Sequence, residues 1–335
     1  MRKYIFFLIF LVLAVFISCR QKQADLYTFG IFQMSDVPHL NEVRRGFIQA
    51  LEDGGFFDGN NMRLVYRNAL GNISEIQRIA KELVQEDVDM LIAVSTQSLQ
   101  AALHATKNTP IVFSSVANPY LAGAGRTAED HLENVTGVSS RGPIKESLRF
   151  IKTVLPDVKR IGTIWTPTEL NSEYYLDLVR EGAAELGFEI VAVPVANKSE
   201  VLLSAQVLVN KQIDAIYQIS DNTINASFEA IGRVAEENGI PLFGGFLASV
   251  ELGASAALGW NFFDMGYKAG QIAISVMKGT DPADIPFQYM EDVLLHINLP
   301  AAQKQGVHFS EDILAQADKV IRVSVNESAP EPGSH

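Results

Sequence analysis

The sequence predicts an α/β protein made of two similar lobes, each a parallel β-sheet covered by helices. Short apolar runs alternate with segments whose apolar residues recur at helical spacing, which is the pattern of strand–helix–strand units. Two stretches of the chain also resemble each other, which indicates a duplicated lobe. The 335 residues, 47% of them hydrophobic, suffice for two domains and are too apolar for a mainly disordered protein.

Short apolar runs mark the predicted strands, and their continuous apolar character is typical of strands buried on both faces. These runs are residues 28–32, 90–94, 111–113, 160–165, 190–195, 215–219 and 241–243. Helices are predicted between them, because apolar residues there fall three or four positions apart. The clearest stripes are Leu40, Val43, Phe47 and Leu51, then Ile73, Ile76, Ile79 and Leu83, then Leu176, Val179, Ala183 and Leu186, and finally Phe228, Ile231 and Val234.

The internal repeat aligns the segment that begins at Asn72 with the segment that begins at Asn197, at a constant offset of 125 residues. Each segment opens with Asn-x-x-Glu, a helix capping box in which Asn replaces Ser or Thr. Each ends a predicted strand with a serine, Ser95 or Ser220. A period this long excludes a solenoid, so the repeat predicts two Rossmann-like lobes that face each other across a cleft.

The amino terminus has the features of a signal segment. Two basic residues precede an uncharged run, residues 4–19, that is short for a membrane span. The run ends in Phe-Ile-Ser-Cys, which resembles the lipobox of bacterial lipoprotein signal peptides, although Phe16 stands where Leu is usual. The resemblance implies that residues 1–18 are removed and that Cys19 is lipidated. The alternative is a free or buried thiol in a short anchor helix.

The remaining terminal segments are expected to lie outside the folded body. Residues 19–25 are predicted to form a polar tether, and residues 323–335, which contain Pro and Ser, a disordered tail. Cys19 is the single cysteine of the chain, which excludes an intramolecular disulfide and a Cys-based zinc site.

Several function classes are disfavoured by composition and by missing motifs. The chain has 27 Lys and Arg against 39 Asp and Glu, without a basic cluster, so no nucleic-acid partner is expected. It lacks Gly-x-Ser-x-Gly, His-Glu-x-x-His, a P-loop and a strand-linked Gly-x-Gly-x-x-Gly. Its six histidines are scattered rather than spaced as ligands. We therefore expect no enzymatic activity, no catalytic residue, no metal and no cofactor.

Candidate ligand contacts are the residues directly after each predicted strand, because open parallel sheets bind ligands beyond the carboxyl ends of their strands. In the first lobe these candidates are Ser95, Thr96, Gln97, Ser114 and Ser115. Hydroxyls and free N–H groups at a helix start suit a carboxylate. The alternatives are simple N-capping by the first two residues and an ordinary turn at the two consecutive serines.

The second lobe contributes an acidic set of candidates. They are Glu169, Asn171, Ser172, Asp221, Asn222, Phe246 and Asn261. Asp221, the repeat partner of Thr96, is expected to pair with a ligand ammonium group, and its alternative role is the N-cap of the following helix. The residues around Glu169 either bind the ligand or cap the next helix. Phe246 either covers an aromatic ring or is a buried loop aromatic, and Asn261 is expected to reach the cleft.

Specific segments of the chain carry a family resemblance. They include NVTGVSS from residue 134, SDNT from residue 220 and LGWNFFDMG from residue 258. Over roughly residues 26–308 the chain resembles the ABC-transporter substrate-binding proteins of the tryptophan/tyrosine-binding type. The resemblance implies a type I periplasmic-binding-protein fold with three crossovers and delivery of ligand to a membrane permease. The family often has His-Pro in its first loop, whereas this chain has Val37-Pro38-His39.

The expected organisation follows from that fold. Lobe 1 comprises residues 26–139 and 261–285, with Gly137 in the first hinge, and lobe 2 comprises residues 140–260 and 286–322. We expect an extracytoplasmic, membrane-anchored lipoprotein that binds a small zwitterion, an aromatic amino acid, and presents it to an ABC permease. The alternatives are a receptor for another small polar solute and a ligand-sensing protein of a signalling system.

Overall fold

A computed structural model describes residues 26–322, and within them it confirms the predicted α/β class. The expected signal peptide with Cys19, the tether and the tail lie outside these residues. Strands are numbered in chain order. The first sheet contains β1 (Tyr27–Gln33), β2 (Met62–Asn68), β3 (Met90–Val94), β4 (Ile111–Val116), β5 (Val135–Ser139) and β11 (Gln288–Tyr289). Its order is β11-β5-β4-β3-β1-β2, and all neighbouring strands are parallel.

The second sheet repeats this design. It contains β6 (Arg160–Trp165), β7 (Glu189–Pro194), β8 (Ala215–Gln218), β9 (Leu242–Gly244), β10 (Ala256–Gly259), β12 (Leu294–Asn298) and β13 (Lys319–Ile321). The order is β13-β12-β10-β9-β8-β6-β7. Only the pairing of β10 with β12 is antiparallel among the described strand pairs.

Helices cover the faces of both sheets. On the first sheet these are α1 (Pro38–Asp53), α2 (Ile73–Gln85), α3 (Thr96–Ala105) and α9 (Phe262–Met277). On the second they are α4 (Ile144–Val154), α5 (Leu170–Leu186), α6 (Val201–Val209), α7 (Asn222–Asn225), α8 (Phe228–Asn238), α10 (Leu299–Lys304) and α11 (Glu311–Gln316). Short 3₁₀ turns lie at Lys198–Glu200, Leu247–Leu252 and Pro282–Asp284. We call each sheet with its helices a lobe.

Each sheet separates two buried cores, because successive strand residues point to opposite faces. In the first lobe, Phe29 and Ile31 of β1 pack with α1 and α9, whereas Phe32 packs with α2 and α3. Helix α9 follows the second crossover and lies directly on α1. A Cβ atom on Gly46 would lie 1.9 Å from the carbonyl oxygen of Phe263, so only glycine permits this close approach.

The chain passes between the lobes three times, after β5, after β10 and after β11. Two details differ from expectation. Gly137 lies inside β5, paired with Phe113 of β4, rather than in the hinge. Residues 286–289 were expected in the second lobe, but β11 pairs with β5 of the first sheet. A two-residue strand is held by its neighbour and has no apolar run of its own to identify it.

Candidate functional site

Side chains that follow β3 of the first lobe meet side chains that follow β6 and β8 of the second. Gln97 Nε2 donates to Asn171 Oδ1 at 3.0 Å, and Asn222 Nδ2 donates to Gln97 Oε1 at 2.9 Å. All three residues are buried. Gln97 and Asn222 are separated by 125 residues, the repeat offset, so the lobes touch through equivalent positions. The cleft is therefore closed here by direct hydrogen bonds between the lobes.

The carboxylate of Glu169 organises the second-lobe wall. It precedes α5 and turns toward the start of α7, where it accepts hydrogen bonds from the backbone N–H groups of Asn222 (3.1 Å) and Thr223 (2.9 Å). The side chains of both residues and that of Asn171 also donate to it. Glu169 is only 3% exposed, so a full set of donors replaces the water that its charge would otherwise require.

Asp221 lies beside Glu169 and is equally buried. Its Oδ1 atom accepts from the N–H of Ile224 at 2.8 Å, and its Oδ2 atom accepts from the N–H of Thr166 at 3.1 Å. The N-cap alternative for Asp221 is therefore realised in the structure. Ser172, which was grouped with Glu169, accepts from the same Thr166 N–H.

The two carboxylates form an uncompensated acidic pair. Burial, and next the negative charge of Glu169, raise the pKa of Asp221 well above its ordinary range. Within residues 26–322, no cationic side chain forms a salt bridge with either group. Such a wall favours a positively charged group in the cleft.

The first-lobe wall is made of hydroxyls and amides. Ser95 has a φ of 105° and caps α3 by accepting from the N–H of Ser98, as its alternative role predicted. The Thr96 hydroxyl accepts from the N–H of Ala117 at 3.4 Å. Ser115 adopts a left-handed backbone conformation with a φ of 58°. These residues shape the wall mainly through loop hydrogen bonds.

Three buried polar atoms near the cleft end of the first lobe have no hydrogen-bond partner among the described residues. They are the hydroxyls of Ser35 and Ser114 and Nδ1 of His39. Ser35 and His39 follow β1, and Ser114 lies near the end of β4, so all three occupy the cleft end of the first lobe. Because buried polar groups are normally paired, the two hydroxyls are candidate contacts for a bound polar molecule.

A cavity of about 530 Å³ lies between the lobes, within the size range of small-molecule sites. The first lobe contributes Met34, Ser35, Asp36, Val37, Leu70 and Gly71, and the second contributes Glu169, Ala196, Asn197, Lys198, Asn222, Thr223 and Ala226. Of the predicted site residues, the cavity includes Glu169 and Asn222. The expectation that ligands bind at strand ends covered residues 33–35 after β1, but the loops after β2 and β7 were missed. The strand-end rule applies to them, but β2 has the sequence MRLVYRN and no apolar run.

The last two candidates have structural roles near the crossovers. Phe246 is buried and lies 5.3 Å, between ring centroids, from Phe228 and 5.4 Å from His39. The Asn261 oxygen accepts from the N–H groups of Phe263 and Asp264, so it caps α9 instead of reaching the cleft.

The described residues contain no set of three or more His, Cys, Asp or Glu arranged to hold a metal ion. Between residues 26 and 322, no helix combines the length and the apolar character needed to cross a bilayer.

Comparison with known proteins gives consistent matches. The model of the family described as ABC transporter substrate binding protein matches residues 28–321. A tyrosine-binding protein from Clostridioides difficile is 37% identical over 269 residues, which cover 80% of this chain and 78% of that protein. An ABC domain in complex with L-Trp from Streptococcus pneumoniae is 26% identical, with coverage of 89% and 100% and a TM-score of 0.85.

A third match concerns the arrangement of the lobes. A substrate-binding protein with adhesive properties from Clostridium difficile, in a ligand-free, open structure, is 32% identical, with coverage of 88% and 99%. Its TM-score is only 0.69. The present structure is thus more similar in shape to the L-Trp complex than to the open protein, although the open protein has the higher identity. This difference agrees with the hydrogen bonds that close the cleft.

Proposed function

Because the chain belongs to the ABC transporter substrate binding protein family, we propose that it is the extracytoplasmic solute receptor of an ABC importer and binds an aromatic amino acid between its lobes. The observation that carries this proposal is the charge asymmetry of the cleft. Within residues 26–322, two buried carboxylates without a cationic partner form one wall, and the hydroxyls of Ser35 and Ser114 on the other wall have no hydrogen-bond partner. A zwitterion matches both.

The ammonium end of the ligand is assigned to the second lobe. Glu169 lines the cavity, and Asp221 lies behind it. A buried carboxylate gains most from a positive charge, because the low local dielectric strengthens the attraction and water no longer screens it. The ligand ammonium would therefore supply the charge that the protein lacks at this point.

The carboxylate end is assigned to the first lobe and the cavity mouth. Ser35 has an unpaired hydroxyl and lines the cavity, and Lys198 lies at the exposed rim. A hydroxyl donor and a nearby cation are suitable partners for a carboxylate. The cavity therefore has a negative group, Glu169, at one point and the Ser35 hydroxyl and Lys198 ammonium at another, as binding of a zwitterion requires.

The apolar part of the cavity supports an aromatic side chain. Met34, Val37 and Leu70 lie on the same side of the cavity, which has room for a ring. The names of the relatives point in the same direction, since one is a tyrosine-binding protein and another was solved with L-Trp. These names describe those proteins, and the ligand of this chain is our inference.

Membrane attachment is proposed through lipid on Cys19, supported by the lipobox resemblance and by the family. The Cys19→Ser variant should be released from membranes into the soluble fraction, because the chain has no second thiol. Immunoblotting of membrane and soluble fractions, with and without detergent, measures this. A variant that still requires detergent for release would contradict lipid attachment.

The ligand is tested by isothermal titration calorimetry of the full-length protein in detergent with L-tyrosine, L-tryptophan and L-phenylalanine. The deaminated analogues, 3-(4-hydroxyphenyl)propionate and indole-3-propionate, lack only the ammonium group. They should bind wild type far more weakly than the amino acids and lose little further affinity in Glu169→Gln. The matched control Glu237→Gln removes an exposed carboxylate and should bind normally.

Two outcomes would contradict the proposal. Equal binding of an amino acid and its deaminated analogue would remove the cation site, and binding of sugars or nucleosides instead of amino acids would change the ligand class. Because ligand binding raises stability by mass action, a thermal-shift screen with those solutes is the parallel measurement.

A further inference from the structure

His39 occupies a position where both lobes and a crossover meet. It is the second residue of α1 in the first lobe, and it is only 4% exposed. Its ring centroid lies 5.4 Å from that of Phe246 in the second lobe and 5.1 Å from that of Phe262, where α9 begins after the second crossover. The imidazole is therefore packed against two aromatic rings, one from the second lobe and one from the start of α9.

If the lobes moved apart about the hinge, the contact of His39 with Phe262 would be retained, whereas its contact with Phe246 would be lost. Phe262 starts α9, and α9 is locked to α1 because Gly46 and Gly266 bring the two backbones together. Phe246 instead packs against Phe228 and belongs to a core of the second lobe. If the lobes separated as rigid units, Phe246 would move away with the second lobe, and one face of the His39 ring would become accessible to water.

The closed environment of His39 does not suit a charged imidazole. Nδ1 is buried and has no partner among the described residues. The charged residues on the elements that carry the three rings, together with the loop before α1, are Asp36, Glu42, Arg44, Arg45, Glu52, Asp53, Glu251, Asp264 and Lys268. No hydrogen bond or ion pair joins any of them to His39 within the described chain. Burial accordingly lowers the pKa of His39 from 6.5 to about 4.

We propose that His39 couples lobe closure to pH. Its neutral ring packs against Phe246 and stabilises the closed form, whereas its protonation favours the open form and ligand release. The proposal rests on the proposed function only in that the ligand is held by the closed form. The receptor would then retain its ligand at neutral pH and bind it weakly at acidic pH.

The sign and size of the effect follow from proton linkage. The closed form has the lower histidine pKa, so it binds fewer protons, and closure is favoured as pH rises through the window between about 4 and 6.5. If opening restores the ordinary pKa, the affinity for a ligand of the closed form should fall by up to about 25-fold between pH 7.5 and pH 5, the full fall applying when the ligand-free protein is mostly open at pH 7.5.

The main experiment compares this fall in wild type and in His39→Phe. Phenylalanine keeps a flat ring between the two aromatic partners, cannot be protonated and leaves no hydrogen-bond partner unpaired. Calorimetry with L-tyrosine at pH 7.5 and pH 5 should show a smaller loss of affinity in the variant, by up to about 25-fold. Asp221 also titrates, but it is present in both proteins. Its effect therefore cancels when the loss of affinity between the two pH values is compared between wild type and variant.

His131→Gln is the matched control. His131 stacks on Phe287 at 4.5 Å and also has a buried ring nitrogen without a partner among the described residues, but both residues lie in the first lobe. Lobe motion does not change this contact, so the variant should keep the wild-type pH dependence. An equal fall in wild type and His39→Phe would overturn the proposal.

Two further measurements keep the proposal testable if a variant folds poorly or if amino acids do not bind. In wild type, the ¹H NMR titration of the His39 ring should shift to a lower midpoint when the protein is saturated with L-tyrosine, and an unchanged midpoint would contradict the proposal. In ligand-free protein, acidification to pH 5 should increase the radius of gyration by small-angle scattering in wild type but not in His39→Phe. An equal response would reject the role of His39 independently of any ligand, whereas absent binding at pH 7.5 would reject only the proposed function.

Discussion

The two segments that follow equivalent strands differ in chemistry although they occupy equivalent places. Ser95-Thr96-Gln97 opens the ten-residue helix α3, whereas Ser220-Asp221-Asn222 opens the four-residue helix α7. Their third residues meet across the cleft in a hydrogen bond of 2.9 Å. Their second residues are a hydroxyl in one lobe and a buried carboxylate in the other.

This comparison shows which property of a duplicated lobe is retained and which is free to change. The strand–helix backbone and the cleft geometry are common to both copies, because each sheet must bury both faces under helices. The side chain at the strand end does not support the core, so Thr96 and Asp221 differ without altering the fold. The resulting asymmetry gives the cleft one neutral and one acidic wall.

The largest expected effect comes from neutralising the acidic wall. Glu169→Gln should weaken binding of an aromatic amino acid by about 2–5 kcal/mol, as when one member of a buried charge pair is removed. Glu169 is the carboxylate that lines the cavity, whereas Asp221 lies behind it. Thr96→Val on the neutral wall should weaken binding of the same amino acid by about 0.5–1.5 kcal/mol, the usual value of one hydrogen bond. Calorimetry on both variants measures the difference, and equal losses would show that the walls are equivalent.

The acidic wall should also affect the pH dependence of stability in ligand-free protein. Because the pKa of Asp221 is raised in the folded state, the native protein holds its proton more tightly than the unfolded chain. Its free energy of unfolding should therefore fall as pH rises above the ordinary Asp range, by about 1.4 kcal/mol for each pH unit by which the pKa is raised.

Denaturant unfolding of wild type and Asp221→Asn at several pH values isolates this contribution. The difference between the two proteins removes the opposing effect of His39, whose lowered pKa makes the closed form more stable as pH rises. A difference that does not vary with pH would mean that Asp221 has an ordinary pKa in solution.

A smaller effect is expected for the contact between the repeat partners. A double-mutant cycle with Gln97→Ala and Asn222→Ala should give a coupling of about 1 kcal/mol in ligand affinity. Asn222→Ala alone should cost more than Gln97→Ala, because Asn222 also donates to Glu169. Calorimetry of the four proteins provides the cycle, and a coupling near zero would show that the lobes do not meet here in solution.

The smallest effect concerns the outer faces of the repeat-related helices α2 and α6. On α2, Arg78 pairs with Glu82. The equivalent positions on α6 are Leu203 and Val207, which are 63% and 41% exposed. The double variant Leu203→Arg/Val207→Glu should change the free energy of unfolding by less than about 0.5 kcal/mol, as exposed ion pairs do. Denaturant unfolding checks this, and a loss above about 2 kcal/mol would indicate that this face of α6 is covered in solution.

Local sequence determined much of the fold. The apolar runs at residues 90–94 and 160–165 coincide with β3 and β6, since a strand buried on both faces must be apolar throughout. The Asn72 cap is also local, because its oxygen accepts from the N–H of Glu75 three residues later. Family membership was likewise accessible from motifs such as SDNT at residue 220. Strand-end position alone brought Gln97, Glu169, Asn171 and Asn222 into the candidate set.

Only the tertiary structure decided how these residues are used. Gln97 and Asn222 become partners because the three crossovers place equivalent strand ends opposite each other, a relation that no local pattern contains. Asn261 was expected in the cleft, but its oxygen is engaged by the N–H groups of its own helix. His39 carries no motif, and its lowered pKa arises from burial, to which Phe246 contributes from more than 200 positions later in the chain. Side-chain type and local spacing are properties of the sequence, whereas desolvation and contact across a cleft depend on which distant segments the fold brings together.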